Sequence, residues 1–249
     1  MEVQVLKLYV VGLGPGEDNQ ITNKALAALE DSDLIVGYGV YIDLIKHLIP
    51  NKQTLTTPMK KEVDRCKMAV EAAISGINVA MVSSGDAGIY GMAGLIYEVL
   101  EEYCTNEVDV EVIPGITAAT SAAAILGAPL MQDFAVISLS DLLTPWEDIE
   151  KRIRLAAQAG FVICIYNPTS KKRWDYLKKA CELAMESIDI STPCGFVRNI
   201  GREGQQQELL TLEELATAKV DMFTTVIIGN KNTKIVNGKL VTSRGYIGI

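Results

Sequence analysis

The segment LYVVGLGPGE, residues 8–17, decides how the chain is read. Four apolar residues run into glycines at 12, 14 and 16, followed by an acid at Glu17. A buried strand ending in a glycine turn is the opening of an α/β sheet, and such turns often cradle the phosphates of a dinucleotide. The template for that use is G-x-G-x-x-G leading straight into a helix, with an acid closing the second strand to hold the ribose. Here Glu17 stands where the third glycine belongs, and a carboxylate there faces the space a pyrophosphate needs. The second strand closes on GYG, residues 37–39, rather than on Asp or Glu. The helix starts only near Thr22, past the glycines. No G-K-[ST] follows, so the phosphate loop of nucleotide triphosphatases is absent as well. The glycines read as a tight turn that permits positive φ and close backbone packing.

Outward from this turn, short β-branched runs alternate with helical patterns. KLYVVG, DLIVGY, NVAMVSS and DVEVI read as strands. Between them lie helices at TNKALAALEDS, with Thr22 as N-cap, at VYIDLIKHLI, ended by Pro50, at KKEVDRCKMAVEAAISG, closed by Gly76, and at YGMAGLIYEVLEEY. TAATSAAAILG is a further helix. The β-α-β-α order with nearly continuous apolar strands predicts a parallel sheet covered on both faces. The rhythm restarts near residue 132 with strands FAVISLS, GFVICIY, TPCGFVRNI and MFTTVIIGN, and with helices at WEDIEKRIRLAAQAG and KRWDYLKKACELAMES. GREGQQQELLTLEELA reads as a strand entering a short helix, which makes the second sheet mixed. The expectation is an α/β protein of two α/β domains, 1–131 and 132–249, with no internal repeat.

Composition narrows the function. The chain has 23 basic and 31 acidic side chains, a net charge of −8, which disfavours a nucleic-acid binder resting on a basic face. Local basic clusters toward an anionic small molecule remain compatible with that total. The five cysteines, at 66, 104, 164, 181 and 194, are scattered and never paired as C-x-x-C, so they read as buried thiols rather than metal ligands or disulfides. No apolar run approaches the roughly 18 residues needed to span a bilayer. The N-terminus carries no cationic signal region, and a cytoplasmic location is expected.

Ligands of parallel α/β sheets collect beyond the carboxyl ends of the strands. Two further loops fall there. SSGDAGIYG, residues 83–91, sets Gly85 and Asp86 after a buried strand, where the carboxylate is a fixed acceptor for hydroxyls or a cation. IPGITAATSAAA, residues 113–124, brings Pro114, Gly115 and Thr117 to another strand end, Thr117 serving either as helix cap or as ligand contact.

VGLGPGE, SSGDAGIYGMA and PGITAATSAAA, in this order and spacing, resemble the tetrapyrrole methylases, the S-adenosylmethionine-dependent enzymes of cobalamin and sirohaem synthesis. LSDLLTPWEDIEKRI, IYNPTSKKR and VRNIGREGQ are similar to the branch that methylates C17 of precorrin-3B or cobalt-factor III. The resemblance covers nearly the whole chain. It implies two α/β domains with the active-site cleft between them, the first contributing the glycine loop and substrate trough and the second completing the methyl-donor pocket. It implies S-adenosyl-L-methionine as co-substrate, a tetrapyrrole as acceptor, a homodimer, and no protein-bound metal, cobalt entering only with the substrate. Methylation in this branch is coupled to contraction of the macrocycle.

By the same resemblance, Pro15, Gly85, Asp86, Ile89, Thr117 and Ala118 contact the donor, and Tyr166, Asn167, Asn199 and Ile200 frame its adenine. One departure is visible, since the family often has proline after the loop aspartate and this chain has Ala87. Catalytic candidates are Tyr38, matching an acid that some relatives carry after the second strand, and Lys60, matching a downstream lysine. A packed tyrosine and a solvated lysine are their plain alternatives. Lys60, Lys61, Arg65, Lys171, Lys172, Arg173 and Arg198 form a group suited to the acetate and propionate arms of the substrate. His47, the one histidine, reads as a helix-end residue rather than a cobalt ligand or proton shuttle. The alternatives are methylation at another ring carbon or of a protein, a nicotinamide-dependent oxidoreductase, or a non-catalytic ligand-binding subunit.

Overall fold

The computed structural model describes residues 6–58, 60–103 and 108–246. The chain folds as two compact units, Met1–Ala118 and Ala119–Ile249.

The first unit is built on strands β1 (Leu6–Gly12), β2 (Leu34–Tyr38), β3 (Gln53–Thr57), β4 (Val79–Ser83) and β5 (Val108–Ile113). They form one parallel sheet in the order β3-β2-β4-β1-β5. Helices α1 (Asn23–Asp31), α2 (Gly39–Ile45), α3 (Glu62–Ile74) and α4 (Ala93–Tyr103) connect them. Side-chain alternation sorts the core. Tyr9, Val11, Ile35, Ala80 and Val82 pack under α1 and α2, whereas Leu8, Val10, Val36, Val79 and Met81 pack under α3 and α4. Both faces of the inner strands β1, β2 and β4 are covered, which is why these three are mostly apolar. Thr22 caps α1 by accepting from the Ala25 N–H at 3.1 Å, and Gly76 follows α3 at φ 99°, both as the sequence indicates. The short strand β3 is absent from the pattern of the sequence. It is a largely exposed sheet edge written in Gln and Thr, without an apolar face to mark it.

The second unit begins within α5 (Ala118–Leu126). Its main sheet holds β7 (Phe134–Ser138), β8 (Val162–Tyr166), β9 (Pro193–Arg198), β10 (Gln206–Thr211) and β11 (Thr224–Ile228) in the order β10-β9-β11-β8-β7. β7 and β8 are parallel, and the pairings of β11 and β10 are antiparallel, giving the mixed sheet expected. Helices α6 (Trp146–Gln158), α7 (Tyr176–Met185) and α8 (Leu212–Leu215) share one core with Ile163, Ile165, Phe196 and Val226. A small sheet of β6 (Gly127–Ala128), β12 (Thr233–Val236) and β13 (Lys239–Thr242) completes the unit. The boundary between the units therefore falls at the start of α5, whereas the sequence rhythm places it at 131/132. The cause is packing: Gly195 of β9 leaves room for the Leu126 side chain, and β6 pairs with β13.

Among the described residues no helix is long and apolar enough to cross a membrane. Cys66, Cys164, Cys181 and Cys194 are buried and free, while Cys104 lies outside the described residues.

Candidate functional site

The carboxyl ends of β4, β1 and β5 are neighbours, so the three glycine-bearing loops emerge side by side. They meet backbone to backbone. Gly14 and Gly85 form an antiparallel bridge, with Gly14 N–H donating to the Gly85 carbonyl at 3.0 Å and Gly85 N–H returning to Gly14 at 2.7 Å. Leu13 N–H reaches the Ser83 carbonyl at 2.9 Å. A Cβ on Gly12 would stand 2.7 Å from both Gly115 N and Gly85 O, and one on Gly115 would stand 2.1 Å from Gly85 O. Gly14 and Gly85 also have φ of 77° and 69°. Gly12 and Gly115 thus exclude side chains from each other's positions and from beneath the Gly85 carbonyl, whereas Gly85 has room for a Cβ and is held to glycine by its φ. They make a floor of bare backbone, with Pro15 and Ala87 buried beside it.

Asp86 holds this floor together. Its Oδ1 accepts from Gly88 N–H at 2.8 Å and Ile89 N–H at 3.2 Å, and its Oδ2 accepts from Gly115 N–H at 3.0 Å. The carboxylate therefore spends its acceptors within the protein, turning its own loop and pinning the loop after β5. Ile89 is 40% exposed at the edge of the floor, and Thr117 and Ala118 are half-buried beside Gly85.

Tyr38 and Lys60 stand at the same carboxyl edge, further along. Tyr38 ends β2 opposite Thr57, its ring edge-on to Tyr41 at 5.4 Å and 5.9 Å from the Arg65 guanidinium carbon. Lys60 is exposed, has φ 67°, and donates its backbone N–H to Glu62 at 3.2 Å. Glu17 is exposed and accepts weakly from Gln20 at 3.5 Å. His47 lies beyond the end of α2, exposed and paired with Asp18 at 2.6 Å, which supplies the partner that the sequence did not reveal.

In the second unit β7, β8 and β9 run the same way, and their carboxyl ends carry the other expected residues. Tyr166 Oη accepts from Ala119 N–H at 2.6 Å, anchoring the first turn of α5. Asn167 and Asn199, each just after a strand, have φ of 52° and 50°, a conformation asparagine tolerates better than most residues. Asn167 Nδ2 donates to Ser138 Oγ at 2.9 Å, and Asn199 N–H donates to the Phe223 carbonyl at 3.1 Å. Ile200 is buried.

The group of basic residues divides by pairing. Lys61 is bridged to Asp64, Arg173 to Asp141, and Arg198 to Asp221. Lys171 and Lys172 are exposed. Tyr176 Oη also donates to Asp141 at 2.7 Å, and this contact holds the Tyr176 phenol above its usual value. Sequence reasoning singles out neither Asp141 nor Tyr176, because their partnership spans thirty-five positions.

Comparison with known proteins places this geometry. The family model of tetrapyrrole (corrin/porphyrin) methylases matches residues 7–216. A probable cobalt-factor III C(17)-methyltransferase of Salmonella typhimurium is 48% identical over 239 residues, covering 96% of this chain and 99% of that one. A precorrin-3B C(17)-methyltransferase of a Sinorhizobium species is 41% identical, covering 92% and 91%. The crystal structure of the methyltransferase CobJ superposes with a TM-score of 0.89 at 36% identity, covering 95% of this chain and 99% of that one. Some relatives are longer, and the chain spans about half of their length.

Proposed function

The chain belongs to the tetrapyrrole methylases, and from that premise we propose that it transfers the methyl group of S-adenosyl-L-methionine to C17 of a precorrin-3-type macrocycle, with contraction of the ring, in cobalamin synthesis. The observation that carries the reading is the backbone floor of Gly12, Gly85 and Gly115, set in a chain that matches C17-methyltransferases over nearly its whole length.

A sulfonium methyl is already electrophilic, so the reaction asks for placement more than activation. An electron-rich ring carbon forms the new C–C bond while the S–CH3 bond breaks, leaving the neutral thioether. Bringing the two centres into line with water excluded supplies much of the rate. A floor without side chains permits that approach. Pro15, Gly85, Ile89, Thr117 and Ala118 take the donor in this reading, and Tyr166, Asn167, Asn199 and Ile200 contribute from the second unit. Asp86 acts as a positioning residue, since its acceptors hold the two loops. Tyr38 and Lys60 are the groups proposed to handle protons during ring contraction. Lys171 and Lys172 are placed to meet substrate carboxylates. A homodimer and a cytoplasmic location complete the reading.

Incubation with a labelled methyl donor and either precorrin-3B or cobalt-factor III tests it. Label is expected in the macrocycle, and the preferred acceptor identifies the metal-free or the cobalt-bearing substrate. Transfer to neither would overturn the assignment. Calorimetry with S-adenosylhomocysteine and with NAD separates it from the oxidoreductase alternative, for which NAD alone would bind.

A further inference from the structure

Helix α3 lays an apolar stripe on the first sheet, with Cys66, Ala69, Val70 and Ala73 fully buried. Arg65 heads that stripe and is 4% exposed. Because α3 leads from β3 back to the start of the parallel strand β4, its first turn lies at the carboxyl edge of the sheet. The guanidinium stands over Tyr38. Glu62 Oε1 lies 4.0 Å from one terminal nitrogen, a distance that gives attraction without a hydrogen bond. Arg65 Nε is sealed from solvent and donates to nothing.

A second orphan lies on the same face. Val79 and Met81 point into the α3–α4 core, so Ser83, two residues on, shares their face, and Tyr38 shares the face of Leu34 and Val36. The register that pairs Gly37 with Val82 sets Tyr38 beside Ser83. Ser83 in turn pairs with Gly12, a member of the backbone floor. Ser83 Oγ is also buried and without a hydrogen-bond partner. Arginine cannot shed its proton to escape burial, and unpaired buried donors are strongly unfavourable. Two of them on one face, at the rim of the floor, call for an acceptor that arrives from outside.

We propose that Arg65 and Ser83 form a receptor for a ligand carboxylate, the guanidinium fork and the hydroxyl donating to its two oxygens while Tyr38 supports the guanidinium. The proposal rests on the methyl-transfer reading for its ligands. These offer the carboxylate from two sources, the amino-acid end of the methyl donor and the acetate or propionate arms of the macrocycle.

Arg65→Met, Arg65→Lys and Ser83→Ala test it. Calorimetry uses S-adenosylhomocysteine and 5′-methylthioadenosine, which keeps the nucleoside and thioether but lacks the carboxylate. If the donor supplies the group, Arg65→Met weakens S-adenosylhomocysteine about 10- to 100-fold and leaves methylthioadenosine unchanged. If the macrocycle supplies it, both nucleosides bind as before and KM for the macrocycle rises by a similar factor with kcat little altered. Arg65→Lys, keeping the charge without the fork, recovers part of either loss, and Ser83→Ala gives a smaller loss for the same ligand. Thermal melting of the ligand-free protein decides independently of any methyl donor. Replacing a buried cation whose Nε has no acceptor and whose ion pair with Glu62 is long by an apolar chain of similar length leaves the melting temperature equal or higher. A lower melting temperature for Arg65→Met, or equal loss of both nucleosides, shows Arg65 to be a structural strut and overturns the receptor. Unchanged affinity for both nucleosides and for the macrocycle overturns it as well. Failure of the wild-type protein to bind S-adenosylhomocysteine overturns the donor reading instead, and the melting comparison still stands.

Discussion

Gly115→Ala is the sharpest test of the backbone floor. The new Cβ would lie 2.1 Å from Gly85 O and 2.7 Å from the Gly12 carbonyl carbon and oxygen. Carbon and carbonyl oxygen normally stay about 3.3 Å apart, so the Gly85 loop must withdraw by roughly 1 Å. The Gly14–Gly85 hydrogen bonds, now 2.7 and 3.0 Å, would then stretch past the useful range. Overpacking of this kind costs about 1–3 kcal/mol, and each broken backbone bond adds about 1 kcal/mol. The sum, about 3–5 kcal/mol, corresponds to a fall of roughly 10–20 °C in melting temperature for a unit of this size. A floor displaced by about 1 Å is expected to reduce methyl transfer by about 100-fold. Gly94→Ala is the control, because nothing lies within 4 Å of its Cβ and it sits in α4 at negative φ. It is expected to be neutral or to stabilise by about 0.5 kcal/mol through helix propensity. Thermal melting and calorimetric titration with S-adenosylhomocysteine read both variants. A Gly115→Ala protein that melts with the wild type and binds the thioether unchanged would falsify the claim that three loops meet on bare backbone.

Asp86→Ala removes the acceptor shared by Gly88, Ile89 and Gly115, and is expected to cost about 2–3 kcal/mol in urea unfolding, with Asp86→Asn intermediate because one oxygen survives. Equal stability of all three proteins would show that the carboxylate is not a structural tie. Thr211→Ala breaks the capping box with Glu214 at the start of α8 and is expected to lower stability by about 1 kcal/mol. The Glu214 carboxyl is held below its ordinary 4.5 first by the Thr211 backbone N–H. Asp175 and Asp189 are held below 3.8, first by Lys179 and by the Ser191 hydroxyl respectively. Groups depressed in the folded state stabilise it above their unfolded values, and that contribution disappears as pH falls through the folded ones. Stability should therefore decline below about pH 4.5. Glu214→Gln should flatten part of that slope, and an unchanged slope would refute its share. Burial pushes the Cys66, Cys164 and Cys194 thiols up to about 12 and raises Cys181 as well, so iodoacetamide at about pH 8 should leave these four unmodified until the protein unfolds. Peptide mass spectrometry reads the sites, and rapid labelling of any of the four in the native protein would contradict their burial.

Local patterns carried much of the fold and tertiary pairing carried the rest. Apolar strand runs, the Thr22 cap and the Gly76 stop are written within a few residues, and the structure forms them where the pattern says. β3 escaped because an edge strand of Gln and Thr has no buried face to betray it. The β12–β13 hairpin, turning at Asn237 and Gly238 with φ of 49° and 72°, carries a recognisable N-G signal that the strand-and-helix rhythm passed over.

The sequence by itself determined the α/β class, the mixed second sheet and the family, because these rest on short-range periodicity and on motifs whose residues are neighbours in the chain. Only the tertiary structure decided what those motifs do to one another. That the Gly85 carbonyl and the facing backbone exclude side chains at Gly12 and Gly115 depends on β4, β1 and β5 lying side by side, an order that no local pattern contains. Asp86 read as a fixed acceptor for hydroxyls or a cation, and the tertiary structure adds that its oxygens accept from Gly88, Ile89 and Gly115. Arg65 looked like one basic side chain among seven and proved to be buried, its Nε without an acceptor on the sheet face that also carries the unpartnered Ser83 hydroxyl. Charge is legible in a sequence, but desolvation is not, because it belongs to the residues that fold over the charge.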